Sequence, residues 1–130
     1  MSTILVDSSI WIDYFRDARK HIILDELIVE NQICVNDLIL SELLPFLYCK
    51  KQQEVIEALL ALPKIKIRID WSALIHLQTA NLLEGLHNVG VPDLIILQNV
   101  LDHNLVLFSA DKHFKRMCDI FDFRLFEARG

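Results

Sequence analysis

Glycine and proline are scarce, three of each in 130 residues. Chains that cannot pack a core are rich in both, so the scarcity excludes a loop-dominated or disordered protein. Cysteine is scarce too. Cys34, Cys49 and Cys118 are odd in number, widely spaced and form no Cys-x-x-Cys pair. That excludes a disulfide framework and a thiolate zinc site, and the three read as buried, reduced thiols of a cytoplasmic protein. No membrane span is expected, because the longest apolar stretches, around Leu38–Cys49 and Leu94–Leu101, are interrupted by Glu42, Gln98 and Asn99. Met1-Ser2-Thr3 lacks a basic region, and no secretory signal is visible.

The signatures of several chemistries are also missing. His21, His76, His87, His103 and His113 form no HxxxH or HExxH spacing, which argues against zinc. There is no GxxxxGK[ST] loop, no GxGxxG and no GxSxG elbow. Positive charge is in deficit, with 13 Lys and Arg against 18 Asp and Glu and a net charge of −5. A general nucleic-acid coat needs a basic face, so that class is disfavoured; an enzyme that grips one or two phosphates through a metal needs less.

Apolar residues are abundant, at 53% of the chain. The length suits one domain over residues 1–130 with one sizeable core. The apolar excess predicts surface covered by a partner, either a second copy or another protein.

Strand and helix patterns alternate. Ile4–Val6 is a short apolar run, followed by helical spacing over Ser8–Arg16 and again over His21–Glu30. Ile33–Val35 is a candidate strand, and Asn36 offers a cap for a helix over Asp37–Tyr48 that Pro45 should kink. Lys51–Leu62 reads as a helix, and Ile65-Lys66-Ile67-Arg68-Ile69 as a half-exposed strand. Trp71–His87 reads as the longest helix and Asp93–Asp102 as the next. Leu105–Phe108, Asp111–Cys118 and Phe123–Phe126 then read as strand, short helix and strand. This order predicts an α/β fold with a mainly parallel sheet covered on both faces. Ligand sites of such sheets lie beyond the carboxyl ends of the strands. Asp7 and Asp111 both fall there.

Four acids stand out. Asp7 and Asp111 each precede a helix, and helix capping alone would explain either. Glu42 is flanked one helical turn away by Leu38, Ile39, Pro45 and Phe46, with no Lys or Arg to pair with it, so its carboxylate is expected to face the domain. Asp93 follows Pro92 in a first helical turn, beside Ile96 and Leu97, and can both start the helix and point inward. Carboxylate oxygens as the only ligands point to Mg²⁺ or Mn²⁺ with several waters retained.

These residues carry a resemblance. Val6-Asp7-Ser8-Ser9-Ile10-Trp11-Ile12-Asp13-Tyr14-Phe15 resembles the opening of PIN-domain proteins, in particular the VapC toxins of toxin–antitoxin pairs. Ser41-Glu42-Leu43-Leu44, Val91-Pro92-Asp93-Leu94-Ile95-Ile96 and Leu107-Phe108-Ser109-Ala110-Asp111-Lys112-His113-Phe114 resemble the later acidic blocks, in order and over nearly the whole chain. The resemblance implies a three-layer α/β/α sandwich and a Mg²⁺- or Mn²⁺-dependent endoribonuclease. Asp7, Glu42, Asp93 and Asp111 would be its metal-holding catalytic acids, with Ser9 and Ser109 as accessory hydroxyls. It also implies an RNA substrate, a homodimer and a VapB-like antitoxin, for which Ile23, Leu24, Leu27 and Ile28 offer a docking face. Many relatives carry a further Asp two residues after the fourth acid; here that residue is His113, which puts a second metal in doubt. Leu97-Gln98 stands where small residues are common and would narrow the cleft. Arg16, Lys112, Lys115 and Arg116 could contact flanking phosphates or be solvated surface charges. Competing readings are a PIN nuclease of RNA processing, a non-catalytic PIN-like binding module, and a phosphatase with Asp7 as nucleophile, the last lacking the usual DxD because position 9 is Ser.

Overall fold

The computed structural model describes residues 3–127, so Met1 and Ser2 of the opening segment lie outside the described residues. The elements are β1 (Ile4–Val6), α1 (Ser8–Arg16), a 3-10 turn (Ala18–His21), α2 (Ile22–Val29), β2 (Ile33–Cys34), α3 (Asp37–Cys49), α4 (Gln53–Leu60), α5 (Trp71–Leu83), α6 (Val91–His103), β3 (Val106–Phe108), α7 (Lys112–Met117) and β4 (Arg124–Leu125). The four strands form one parallel sheet in the order β2-β1-β3-β4. Ile4 to Val6, Ile33, Cys34, Leu107 and Phe108 are all buried, as a sheet covered by helices on both faces requires. The expected α/β/α sandwich is the fold observed.

Strand order fixes where a site can form. From β1 the chain crosses to β2 on one side and later returns to β3 on the other. Connections therefore leave the carboxyl ends of β1 and β3 in opposite directions, and a crevice opens between them. The register ends with Val6 opposite Phe108, and the Asp7 amide donates to the Phe108 carbonyl at 2.8 Å. Asp7 and the 109–111 loop thus face each other across that crevice.

Several expectations are corrected in detail. The 65–69 segment alternates in exposure but joins no ladder; it meets the sheet only through the Val35–Lys64 bridge. Its Lys66 carbonyl instead accepts from the Asn99 side-chain amide at 3.1 Å and lies 3.1 Å from His103 Nε2, so side chains of α6 take the place of a neighbouring strand. The α5 helix stops at Leu83, because Gly85 turns the chain at a φ of +78°. The α3 helix, by contrast, runs through Pro45 to Cys49 much as expected. Of the expected docking face on α2, Leu24 and Leu27 are core residues; the exposed apolar side chains there are Ile22, Ile28 and Val29. All three cysteines are free, but only Cys34 is buried, which pushes its thiol up to about 12.

One polar group ties the two halves of the core. Asn36 is fully buried; its Oδ1 accepts from the Ile39 amide at 2.9 Å, capping α3, and its Nδ2 donates to Asn99 Oδ1 at 2.9 Å. Asn36→Ala removes a cap and orphans a buried carbonyl, and should cost about 2–4 kcal/mol. In urea this should appear as a lower midpoint at unchanged slope; a loss below about 0.5 kcal/mol would mean water replaces the side chain.

Candidate active site

Asp7 is 5% exposed and stands at the N-cap position of α1, yet its side chain caps nothing. Its Oδ2 accepts from Ser9 Oγ at 2.9 Å and from Ser109 Oγ at 2.8 Å. Each serine accepts in turn from the loop beyond β3: Ser9 from the Ala110 amide and Ser109 from the Asp111 amide, both at 3.0 Å. The two accessory hydroxyls therefore form a clasp that fixes Asp7 to the segment leading into Asp111. Both serine bonds fall on one oxygen, and Oδ1 is the oxygen left to face a ligand.

Asp111 does cap its helix, accepting from the His113 amide at 2.9 Å. Asp93 enters from the first turn of α6, whose start is set by Gly90 and Pro92. Burial, then the charges of Asp111 and Asp7, raise the Asp93 pKa, with the imidazole of His113 opposing the rise. Glu42 corrects the expectation of an inward-facing side chain. It is exposed at the rim of the crevice, where Ser8 Oγ donates to its Oε1 at 3.4 Å. Its carboxyl still loses enough solvent, and feels enough of Asp7 and Asp93, for its pKa to be raised.

Asp93, Asp111 and His113 come together most tightly, each offering a ligand atom within 4.8 Å of the others. Asp7 and Glu42 are not members of that triad, although their charges act on its residues. His113 is the site residue that sequence reasoning missed. Its position two residues after Asp111, where relatives carry an acid, was the available signal. His113 Nδ1 is shut off from solvent and lies in ion-pair range of Asp93 Oδ2 at 3.5 Å and Asp111 Oδ1 at 3.4 Å, without a well-aligned hydrogen bond to either.

Two carboxylates about 5 Å apart repel by roughly 3 kcal/mol at an effective dielectric of about 20. A divalent cation offsets that repulsion, and a ring nitrogen between two carboxylates is a donor set such an ion can take. The residues present fit a metal. Beside them, Lys112, Lys115 and Arg116 line a groove of about 760 Å³ with His87 and His113. Arg16 instead lines an apolar cavity of about 350 Å³ together with Glu42 and Phe46. Gln98 does not narrow the crevice; its Oε1 accepts from the Asp70 amide at 3.4 Å, toward a separate groove.

The sequence matches the PIN domain family over residues 4–120. No curated protein matches it. Among solved structures, DNA-bound VapBC from Salmonella typhimurium is similar with a TM-score of 0.69 and 17% identity, covering 97% of this chain and 98% of that one. VapBC2 from Rickettsia felis, bound to a DNA fragment from its promoter, gives 0.73 and 19%, covering 95% and 97%. VapBC-1 from nontypeable Haemophilus influenzae gives 0.67 and 19%, covering 96% and 97%. At these identities the likeness is one of fold. The chain belongs to the PIN-domain family.

Thermal melts test the site without substrate. A cation bound with a dissociation constant on the order of 1 mM and present at about 10 mM stabilises the folded state by about 1.4 kcal/mol. That should raise the melting temperature by about 2–6 °C, and Asp93→Asn should lose most of the gain. Without metal the same substitution should itself raise the melting temperature at pH 7. The raised pKa of Asp93 means that its ionised form opposes folding above the folded-state value and has no effect below the unfolded one. The benefit of Asn should therefore vanish as the pH falls to about 4. Equal metal shifts in both proteins would place the cation elsewhere.

Proposed function

We propose that residues 1–130 form one nuclease domain, a divalent-metal-dependent endoribonuclease that serves as the toxin of a VapBC-type pair. The observation that carries this reading is the convergence of four acids from four separate segments at the crevice between β1 and β3. Asp7 in particular gives up a helix cap to be clasped there by two hydroxyls. Family membership supports nuclease activity, and the groove lined by Lys112, Lys115 and Arg116 supports a polyanionic substrate beside the acids.

Asp7, Asp93 and Asp111, with Glu42 at the rim, would hold Mg²⁺ or Mn²⁺. A divalent cation held there supplies Lewis-acid activation of a water and of the scissile phosphate. The serine clasp keeps Asp7 from rotating, so its free oxygen is already oriented when substrate arrives. Glu42, exposed and hydrogen-bonded to Ser8, would accept the proton released by an attacking water. Lys112, Lys115 and Arg116 would hold the flanking phosphates. Attack by water in line with the 3′-oxygen would break the P–O3′ bond and leave a 5′-phosphate and a 3′-hydroxyl, with the ribose 2′-hydroxyl taking no part.

Exposed apolar side chains support the partner reading. Ile12 and Phe46 border the cavity beside α1 and α3, and Trp71, Ile75, Leu82 and Leu83 stand out from α5. An antitoxin and a second copy of this chain are the proposed occupants, in line with the VapBC complexes among the similar structures. Among the described residues, no helix is long and apolar enough to cross a membrane. The proposed setting is the cytoplasm.

Cleavage of an RNA panel should require Mg²⁺ or Mn²⁺, and Asp7→Asn should lower its rate by at least about 100-fold while the fold survives. Metal-independent cleavage, or full activity in Asp7→Asn, would overturn the nuclease reading; a phosphorylated Asp7 would favour the phosphatase.

The toxin role is separable. Expression of the chain alone should arrest growth, and a co-expressed antitoxin should restore it. Normal growth with soluble, RNA-cleaving protein would remove the toxin role and leave the nuclease, as expected of an RNA-processing enzyme.

A further inference from the structure

The geometry points to His113 as a direct metal ligand through Nδ1, giving this site a mixed nitrogen–oxygen donor set that selects Mn²⁺ over Mg²⁺. The inference rests on the metal-site reading above and goes beyond it by naming a donor and the ion it favours.

Three observations carry it. The Nδ1 atom is buried and forms no well-aligned hydrogen bond; its polar neighbours are carboxylate oxygens. It faces Asp93 Oδ2 at 3.5 Å and Asp111 Oδ1 at 3.4 Å. A cation with bonds of about 2.1 Å holds neighbouring ligand atoms about 3 Å apart, so modest contraction would bring all three onto one ion. Finally, the imidazole is held from below. The His113 amide donates to Asp111 Oδ1 at 2.9 Å, and Phe114, the next residue, is fully buried, so the ring's anchor is part of the α7 cap and the core.

Chemistry then decides between ions. Mg²⁺ prefers oxygen ligands and keeps its waters; imidazole suits transition metals, and Mn²⁺ accepts both donor types. An acid at position 113 would add a fourth carboxylate near Asp7, Asp93 and Asp111 and favour hard cations by charge. A neutral imidazole adds a softer donor without adding repulsion. The competing arrangement is a protonated His113 that bridges Asp93 and Asp111 as a built-in countercharge. It predicts the opposite effect, because removing the ring would then let a cation bind more tightly.

The test measures binding of Mn²⁺ and of Mg²⁺ by calorimetry, and nitrogen coupling to bound Mn²⁺ by pulsed electron paramagnetic resonance, in wild type, His113→Ala, His113→Asp and Asp7→Asn. Wild type should bind Mn²⁺ more tightly than Mg²⁺ and show the coupling of a directly bound ring nitrogen. His113→Ala should lose the coupling and about tenfold or more of its Mn²⁺ affinity. His113→Asp should also lose the coupling but regain Mg²⁺ binding, which separates a lost ligand from a damaged fold. Mn²⁺ bound without nitrogen coupling, coupling that survives in His113→Ala, or tighter metal binding in His113→Ala would overturn the inference. If Asp7→Asn still weakens metal binding in that case, the acidic site stands and only the role of His113 falls. Failure of wild type to bind either ion would instead remove the metal site itself.

Discussion

The crevice depends on holding one carboxylate, Asp7, in a place with almost no solvent. Left alone, that buried side chain would draw in water or swing round to cap α1, as aspartates at that position commonly do. Two hydroxyls on Oδ2 prevent both outcomes. Because Ser9 and Ser109 also accept the Ala110 and Asp111 amides, the same four hydrogen bonds close the gap between β1 and β3 and place Asp111. The sheet provides the position, since parallel pairing of Val6 with Phe108 delivers both segments to the same end of the crevice. Stability and site are coupled here: loosening the clasp would free a buried charge and release the loop that carries the next one.

Much of this was legible in the sequence because strong local signals agree with the tertiary outcome. Ile4–Val6, Ile33–Cys34 and Val106–Phe108 are short runs without alternation, as strands buried on both faces must be. Asn36 caps α3 as its position suggests, and Asp7 and Asp111 fall where strand becomes helix. The failures have a common cause, a tertiary contact that competes with local pattern. The 65–69 run has the period of a strand, but its Lys66 carbonyl is taken by Asn99 of α6. On α2, nearly every position is apolar, so periodicity could not say that Leu24 and Leu27 face the core while Ile22 and Val29 face out.

Glu42 shows a different limit. Apolar neighbours at helical spacing suggested an inward carboxylate, and the side chain is exposed. Spacing gives the direction of the Cα–Cβ bond, but a glutamate has two further carbon–carbon torsions with which to lift its charge toward solvent. What survived is the electrostatic neighbourhood. The carboxyl still senses Asp7 and Asp93, which requires proximity and not burial. A rim position also suits the proton-accepting role proposed for it.

Asp111 and His113 show why capping and ligation were never exclusive alternatives. A helix cap engages a carboxylate through the backbone amide two or three residues on, and here the amide is that of His113. The cap therefore brings residue 113 back against Asp111, and the same Oδ1 that accepts the amide lies 3.4 Å from the ring nitrogen. Whatever stands at position 113 is placed beside the acid by a local turn. An acid there adds charge to the cluster, and a histidine adds a donor without it. The bland reading of Asp111 as a cap is correct, and it is the mechanism that builds the site.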